Sequence, residues 1–253
     1  MPLLPHPPKF YERLYEASHR RDTGLYLALG KKLLREAISS LPKKNFHAIL
    51  LSDKEDTGIV PPYLRKVTFI LPEWQLERIS RQENCEGVVT VLYQSVFSLS
   101  SPYPPAVLAE GLQDPGNLGT LLRTMEWMGW NCLWLSEGSV DPFHPRAVRA
   151  SMGSLFRVYV QQAKDWDRLL QAYEGRCIVA SPEGVSPQAV QWEKYDALYI
   201  GSESQGVRYA PLHWPRVQIP PAPSARAESL NVAIATAILL YLQREFRAGR
   251  IRI

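Results

Sequence analysis

The chain has 253 residues, 45% hydrophobic and 21% charged, with a formal net charge of +4. That length supports one large domain or two modest ones, and the composition excludes a disordered or fibrous chain. MPLLPHPPKFYERLYE has neither an apolar signal region nor a cleavage site, and the longest near-apolar run, 230–242, is too short for a bilayer span, so a cytoplasmic protein is expected.

Residues 9–20 and 30–40 have helical spacing, with Leu33, Leu34, Ala37 and Ile38 on one face of the second stretch. Strand-like runs follow at 47–52, 67–71 and 87–93, with a helix after Pro72 in EWQLERIS. Positions 1–94 therefore read as a small α/β unit. Its first fifty residues hold nine Lys/Arg against four acids. Arg20, Arg21, Lys31, Lys32 and Arg35 belong to this cluster, and the C-terminus adds Arg244, Arg247, Arg250 and Arg252. Such clustering suits a polyanion or, equally, a solvated helix face. Cys85, Cys132 and Cys177 are far apart, odd in number and lack ligand spacing, so reduced thiols and no metal are expected.

The Ser- and Pro-rich stretch 95–105 reads as a linker. Beyond it, in 106–253, strands and helices alternate. AVLAEGL leads into a helix at 118–128, CLWLS into one near 144–152, and RVYV precedes WDRLLQAY. CIVAS, ALYIGS and VQI complete the strands before a long helix at 230–247. This pattern predicts an α/β fold with a parallel sheet covered on both faces, and ligands bind beyond the carboxyl ends of such strands.

Three turns occupy those ends. In QDPGNLGTLLRT, Asn117 is expected as N-cap, Gly129 as C-terminal stop, and Arg123 off the apolar face. Trp127, Trp130 and Trp134 read as packing residues. In IGSESQGV, Gly201 and Gly206 permit close backbone approach around Glu203, and the turn is neither a Walker loop nor a dinucleotide fingerprint. In VQIPPAPSARAESLNVAIA, a Pro-rich loop after Ile219 leads to Ser229, expected as N-cap, with Asn231 in the first turn.

Together these turns resemble the three motifs of the SPOUT methyltransferases, most closely the TrmH-like (SpoU) RNA 2′-O-ribose methyltransferases. GSVDPFHPRAVRASMGSLF (138–156) is similar to the family's connecting segment. RRDTGLYLALGKKLLREAI resembles, more weakly, the ribosomal-protein-like RNA-binding domain of its rRNA-directed members, although Ala28-Leu29 stand where an acid usually precedes the glycine. The resemblance implies a C-terminal deep trefoil knot, a homodimer with active sites near its interface, and S-adenosyl-L-methionine as cofactor, with no metal. It implies that the backbone around Gly201, Ile219 and Leu230 holds the cofactor. Arg123 would activate the ribose hydroxyl, with Asn117, Glu203, Ser229 and Asn231 orienting the reactants. Ribosomal RNA is then a likelier substrate class than tRNA. A non-catalytic RNA-binding or ribosome-assembly protein and a base methyltransferase on the same fold are the alternatives. Ser204 replaces the usual Gly of motif two, and the loop of motif three is longer than the family's.

Overall fold

The computed structural model describes residues 4–82, 86–94, 103–203 and 205–251. Cys85, Ser204, Arg252 and most of the expected linker lie outside them. In chain order the elements are α1 (Pro8–Glu12), α2 (Ala17–Thr23), β1 (Leu25–Leu29), α3 (Lys31–Ser40), β2 (Phe46–Ser52), β3 (Thr68–Leu71), α4 (Glu73–Ser80) and β4 (Val88–Tyr93). They continue with β5 (Ala106–Ala109), α5 (Pro115–Met128), β6 (Cys132–Leu135), α6 (Pro145–Ser151), β7 (Tyr159–Gln162), α7 (Trp166–Ala172) and β8 (Cys177–Val185). The last are β9 (Ala197–Ile200), β10 (Arg216–Val217) and α8 (Val232–Arg247).

The chain divides into two compact units, Met1–Val96 with Phe143–Phe156, and Phe97–Pro142 with Arg157–Ile253. Thus α6, which the sequence reading counts with the second alternation, packs on β1 of the first unit. The Phe143 ring lies 4.8 Å from that of Tyr26.

In the first unit a four-stranded sheet runs β1-β4-β2-β3, antiparallel except for the β2/β3 pair. All five residues of β1 are buried, so no polar alternation marks it in the sequence. The expected helix over 9–20 is broken. α1 passes into a single 3-10 turn at Arg13–Tyr15, and Glu16 is extended before α2 begins. Tyr11, Leu14, Leu27, Leu50, Leu76 and Val91 meet in the core beneath.

The second unit contains one six-stranded sheet in the order β10-β8-β9-β5-β6-β7, parallel throughout. Every residue of β5 and β9 is buried, as strands covered on both faces require. One face carries a core of Ala106, Leu108, Tyr199 and Val179 against Leu169, Leu170 and Tyr173 of the α7 region. Cys132 and Cys177 are free and buried, and burial pushes the Cys132 thiol up to about 12, leaving it protonated and inert.

Strand order sets the site. β5, β6 and β7 advance in one direction, and β8 restarts on the far side with β9 inserted between it and β5. β5 and β9 are therefore parallel neighbours whose connections leave in opposite directions, the crevice where α/β sheets bind ligands. Ala109 is in register with Ile200, so the turns after these strands emerge side by side.

Candidate active site

The first turn begins with Asp114, whose side chain accepts from Asn117 N at 2.8 Å and caps α5. The expected cap, Asn117, instead lies within the first helical turn. Pro115 suits the start of a helix because its missing N–H would be unpaired there. Gly129 ends α5 in the left-handed conformation at φ 82°.

With Asp114 serving the backbone, the Asn117 carboxamide is free for other bonds. Its Nδ2 donates to Glu203 Oε1 at 2.8 Å, and its Oδ1 accepts from Asn231 Nδ2 at 2.9 Å. Asn231, rather than Ser229, caps α8, with Oδ1 accepting from Ala233 N at 2.9 Å and Ile234 N at 3.3 Å. These bonds fix each other's direction. The α8 amides require oxygen from Asn231, which turns its NH2 toward Asn117. That in turn aims the Asn117 NH2 at the carboxylate. Three loops from three strands are tied together, and a chain of this kind is strengthened by mutual polarisation.

The turn after β9 is tightly folded. Ser202 and Gly206 exchange backbone hydrogen bonds, each at 3.0 Å. A Cβ on Gly201 would overlap the Gly206 carbonyl group, so only glycine fits. Glu110, at the end of β5 and 4% exposed, is a residue the sequence reading did not single out. Its carboxylate accepts from Tyr199 Oη at 2.6 Å, Arg208 N at 3.0 Å and Tyr209 N at 3.2 Å. Burial, with the Glu110 bond second, pushes the Tyr199 phenol up, so it remains a donor. A lone acid in an otherwise apolar strand was the available signal.

The third segment has little internal order. From Pro220 to Leu230 the one main-chain hydrogen bond among the described residues is Ala225 N to Ala222 O. Ile219 is half-buried, Leu230 is 49% exposed, and Ser229 is exposed with no hydrogen bond among the described residues. Unpaired main-chain groups beside exposed apolar side chains fit a ligand with both a heteroaromatic face and a hydrogen-bonding edge, as an adenosine has.

Arg123 is not gathered into this cluster. It leaves α5 about 9 Å along the axis from Asn117 and roughly 120° around it, is exposed, and has no hydrogen-bond or ion-pair partner among the described residues. Trp127, one turn further on the same side, is 81% exposed and so is not the packing residue expected. Trp130 is buried and Trp134 half-buried.

The basic clusters also sort differently from the sequence reading. Arg20 is 1% exposed, and its Nη1 donates to Leu14 O at 2.8 Å, so it belongs to the core and cannot meet a phosphate. Lys31 pairs with Glu55 at 2.9 Å, while Arg21, Lys32 and Arg35 are exposed. At the start of α3, Glu86 Oε2 accepts from Lys31 N at 2.9 Å. At the C-terminus, Arg244 and Arg250 pair with Glu245 at 3.1 and 2.6 Å. Arg247 donates to the Trp192 and Tyr195 carbonyls. These arginines close the end of α8 instead of forming an open basic patch.

The model of the SpoU rRNA methylase family matches residues 104–241, which contain all three turns. An uncharacterized tRNA/rRNA methyltransferase of Synechocystis sp. is 32% identical, the match covering 93% of this chain and 89% of that protein. The 23S rRNA (guanosine(2553)-2′-O)-methyltransferase RlmP of Bacillus subtilis is 28% identical over 92% of this chain and 94% of its own. Among solved structures, an AdoMet-bound rRNA methyltransferase from Sinorhizobium meliloti superposes with a TM-score of 0.81 at 27% identity, covering 97% of each chain. The connected Asn117, Glu203 and Asn231 thus occur in the part of the chain that the family model covers, and the chain belongs to the SpoU rRNA methylase family.

Proposed function

We propose that the protein transfers a methyl group from S-adenosyl-L-methionine to a ribose 2′-hydroxyl of ribosomal RNA. The observation that carries this reading is the bonded set Asn231–Asn117–Glu203, which ties together the two helix starts and the turn after β9. The match to RlmP over nearly the whole of both chains favours ribosomal RNA over tRNA. The cofactor supplies a sulfonium-bound, electrophilic methyl carbon when bound. Main-chain groups around Gly201, Ile219 and Leu230 would hold it.

The residues then divide the remaining work. Glu203, oriented by Asn117, and Asn231 and Ser229 at the start of α8 position the ribose. The Arg123 guanidinium offers several N–H donors and no acceptor, so it would hold the adjoining phosphate and stabilise negative charge developing on the 2′-oxygen. These residues would hold that oxygen in line with the cofactor's methyl carbon, so that the new carbon–oxygen bond would form as the carbon–sulfur bond gave way to a neutral thioether and the hydroxyl proton passed to solvent water. Alignment of the reacting atoms contributes much of the acceleration.

A homodimer suits the placement of Arg123. Ile234, Ile238 and Tyr241 form an incompletely buried apolar stripe on α8, and Trp127 protrudes from α5, which packs against it. Covering that surface with a second copy would bring an Arg123 to each site. A trefoil knot is supported by the path after β9: the chain runs out to pair β10 with β8, then returns through 218–231 to place α8 beside α5. The first unit would bind RNA through Arg21, Lys32 and Arg35, and the enzyme would act in the cytoplasm.

The test is methyl transfer from radiolabelled cofactor to unmodified ribosomal RNA and tRNA, with the labelled nucleotide mapped. Label on a ribosomal ribose is expected, and the modified linkage should resist nuclease. Label on a base, or none on either RNA despite cofactor binding, would reject the reading. Arg123→Ala should lower turnover by at least about 100-fold with cofactor affinity unchanged.

A further inference from the structure

Beyond Glu203 the motif-two loop carries a feature that methyl transfer as described does not use. Arg208 and Tyr209 are both exposed, Tyr209 by 60%. The Arg208 guanidinium carbon lies 5.5 Å from the Tyr209 ring centroid, and its Nη1 donates to Gln205 Oε1 at 2.6 Å. Their main-chain N–H groups, in contrast, reach inward to the buried Glu110 carboxylate. Burying a carboxylate is costly unless its oxygens are fully used, and two of its three donors come from this exposed segment. The carboxylate therefore fixes the backbone of 208 and 209 while leaving both side chains outside. A tyrosine whose role was packing would be covered; this one is immobilised at its root and open at its ring.

We propose that Arg208 and Tyr209 form a contact platform for single-stranded RNA, with Tyr209 stacking on an unpaired base, Arg208 taking a neighbouring phosphate, and Glu110 acting as a positioning residue. The chemistry matches the ligand. Every base presents a π-face to an aromatic ring, and a guanidinium offers several donors to a phosphate. Unpaired nucleotides can splay their bases, whereas bases in a duplex are already stacked. The platform lies two residues beyond the Ser202–Gly206 bridge, on the loop that carries Glu203, so it would set which nucleotides flank the reacting ribose. In this it rests on the function proposed above.

The test measures equilibrium binding of the full chain to a fluorescein-labelled mixed-sequence single-stranded RNA of about 20 nucleotides, a length exceeding the ~4–16 nucleotides that a single-strand-binding module typically covers, and to the same sequence as a duplex. Tyr209→Ala should weaken single-strand binding roughly 5- to 150-fold, Tyr209→Phe should hold it within about twofold, and the duplex should change much less. Arg208→Gln should reduce the salt slope for the single strand by about 0.7. Glu110→Gln should raise KM for RNA more than it lowers kcat, because it loosens the platform without altering its side chains. Unchanged single-strand binding by Tyr209→Ala, or an equal loss on duplex and single strand, would overturn the proposal. Since Tyr209 is exposed, a folded variant is expected, and circular dichroism checks it. If the wild-type protein binds RNA through Tyr209 yet transfers no methyl group, the reaction assignment falls and the platform stands.

Discussion

The turn after β9 and the loop after β10 flank the same crevice but are built in opposite ways. The first is over-determined. A backbone bridge joins Ser202 to Gly206, Glu110 fastens residues 208 and 209, and Glu203 is bonded to Asn117. The second runs from Pro220 to Leu230 with a single main-chain hydrogen bond among its described residues, and its prolines limit the backbone without pairing it. On the assignment proposed above, the two would divide the tasks: the groups that would orient the reacting atoms sit in a fixed frame, while the loop that would contact the cofactor keeps donors and acceptors unspent for a ligand.

This contrast can be broken most severely at Gly201. Gly201→Ala drives a methyl group into the Gly206 carbonyl and should cost roughly 3 kcal/mol or more of stability, read from the denaturation midpoint. A small loss would mean that the turn after β9 is compliant after all. Cofactor binding should sharpen the contrast. At a concentration 100 times Kd it should stabilise the protein by about 2.7 kcal/mol, and hydrogen-exchange protection should increase mainly over 218–231. Gains concentrated at 203–209 instead would reverse the assignment of rigid and adaptable parts. Asn231→Ala removes the α8 cap and the link to Asn117 and should cost about 1–2 kcal/mol in thermal or chemical unfolding. Loss of that size with normal RNA affinity but reduced turnover would place its effect in the frame.

The smallest effect is expected at the far end of α8. Bonds from Arg250 and then Arg244, against some desolvation, lower the Glu245 carboxyl from 4.5 to about 2. A lowered folded value means stabilisation above the unfolded value that fades as pH falls from near 4.5 toward 2. Glu245→Gln should flatten that part of the stability profile, and an unchanged profile would remove the pairing from the account.

Much of the second unit was legible because buried parallel strands and amphipathic helices produce strong alternating blocks. CLWLS, CIVAS and WDRLLQAY stand in the fold close to where the pattern put them. β1 was not legible, since LYLAL is buried on both sides and short. Nor were the caps. Asp114 and Asn117, like Ser229 and Asn231, are all good capping residues, and in the fold Asp114 and Asn231 serve the backbone while the two asparagines bond to each other. The burial of Arg20 was hidden for a related reason, because nothing in a run of basic residues distinguishes the one that turns inward.

Glu110 has a consequence for how this enzyme could be re-aimed. Apart from Tyr199, its carboxylate holds only main-chain N–H groups, and it is indifferent to the side chains those residues carry. Any amino acid but proline can satisfy it at positions 208 and 209. The pair behaves as an interchangeable cassette in a fixed socket, and substrate preference could be varied there by exchanging two residues without rebuilding the crevice.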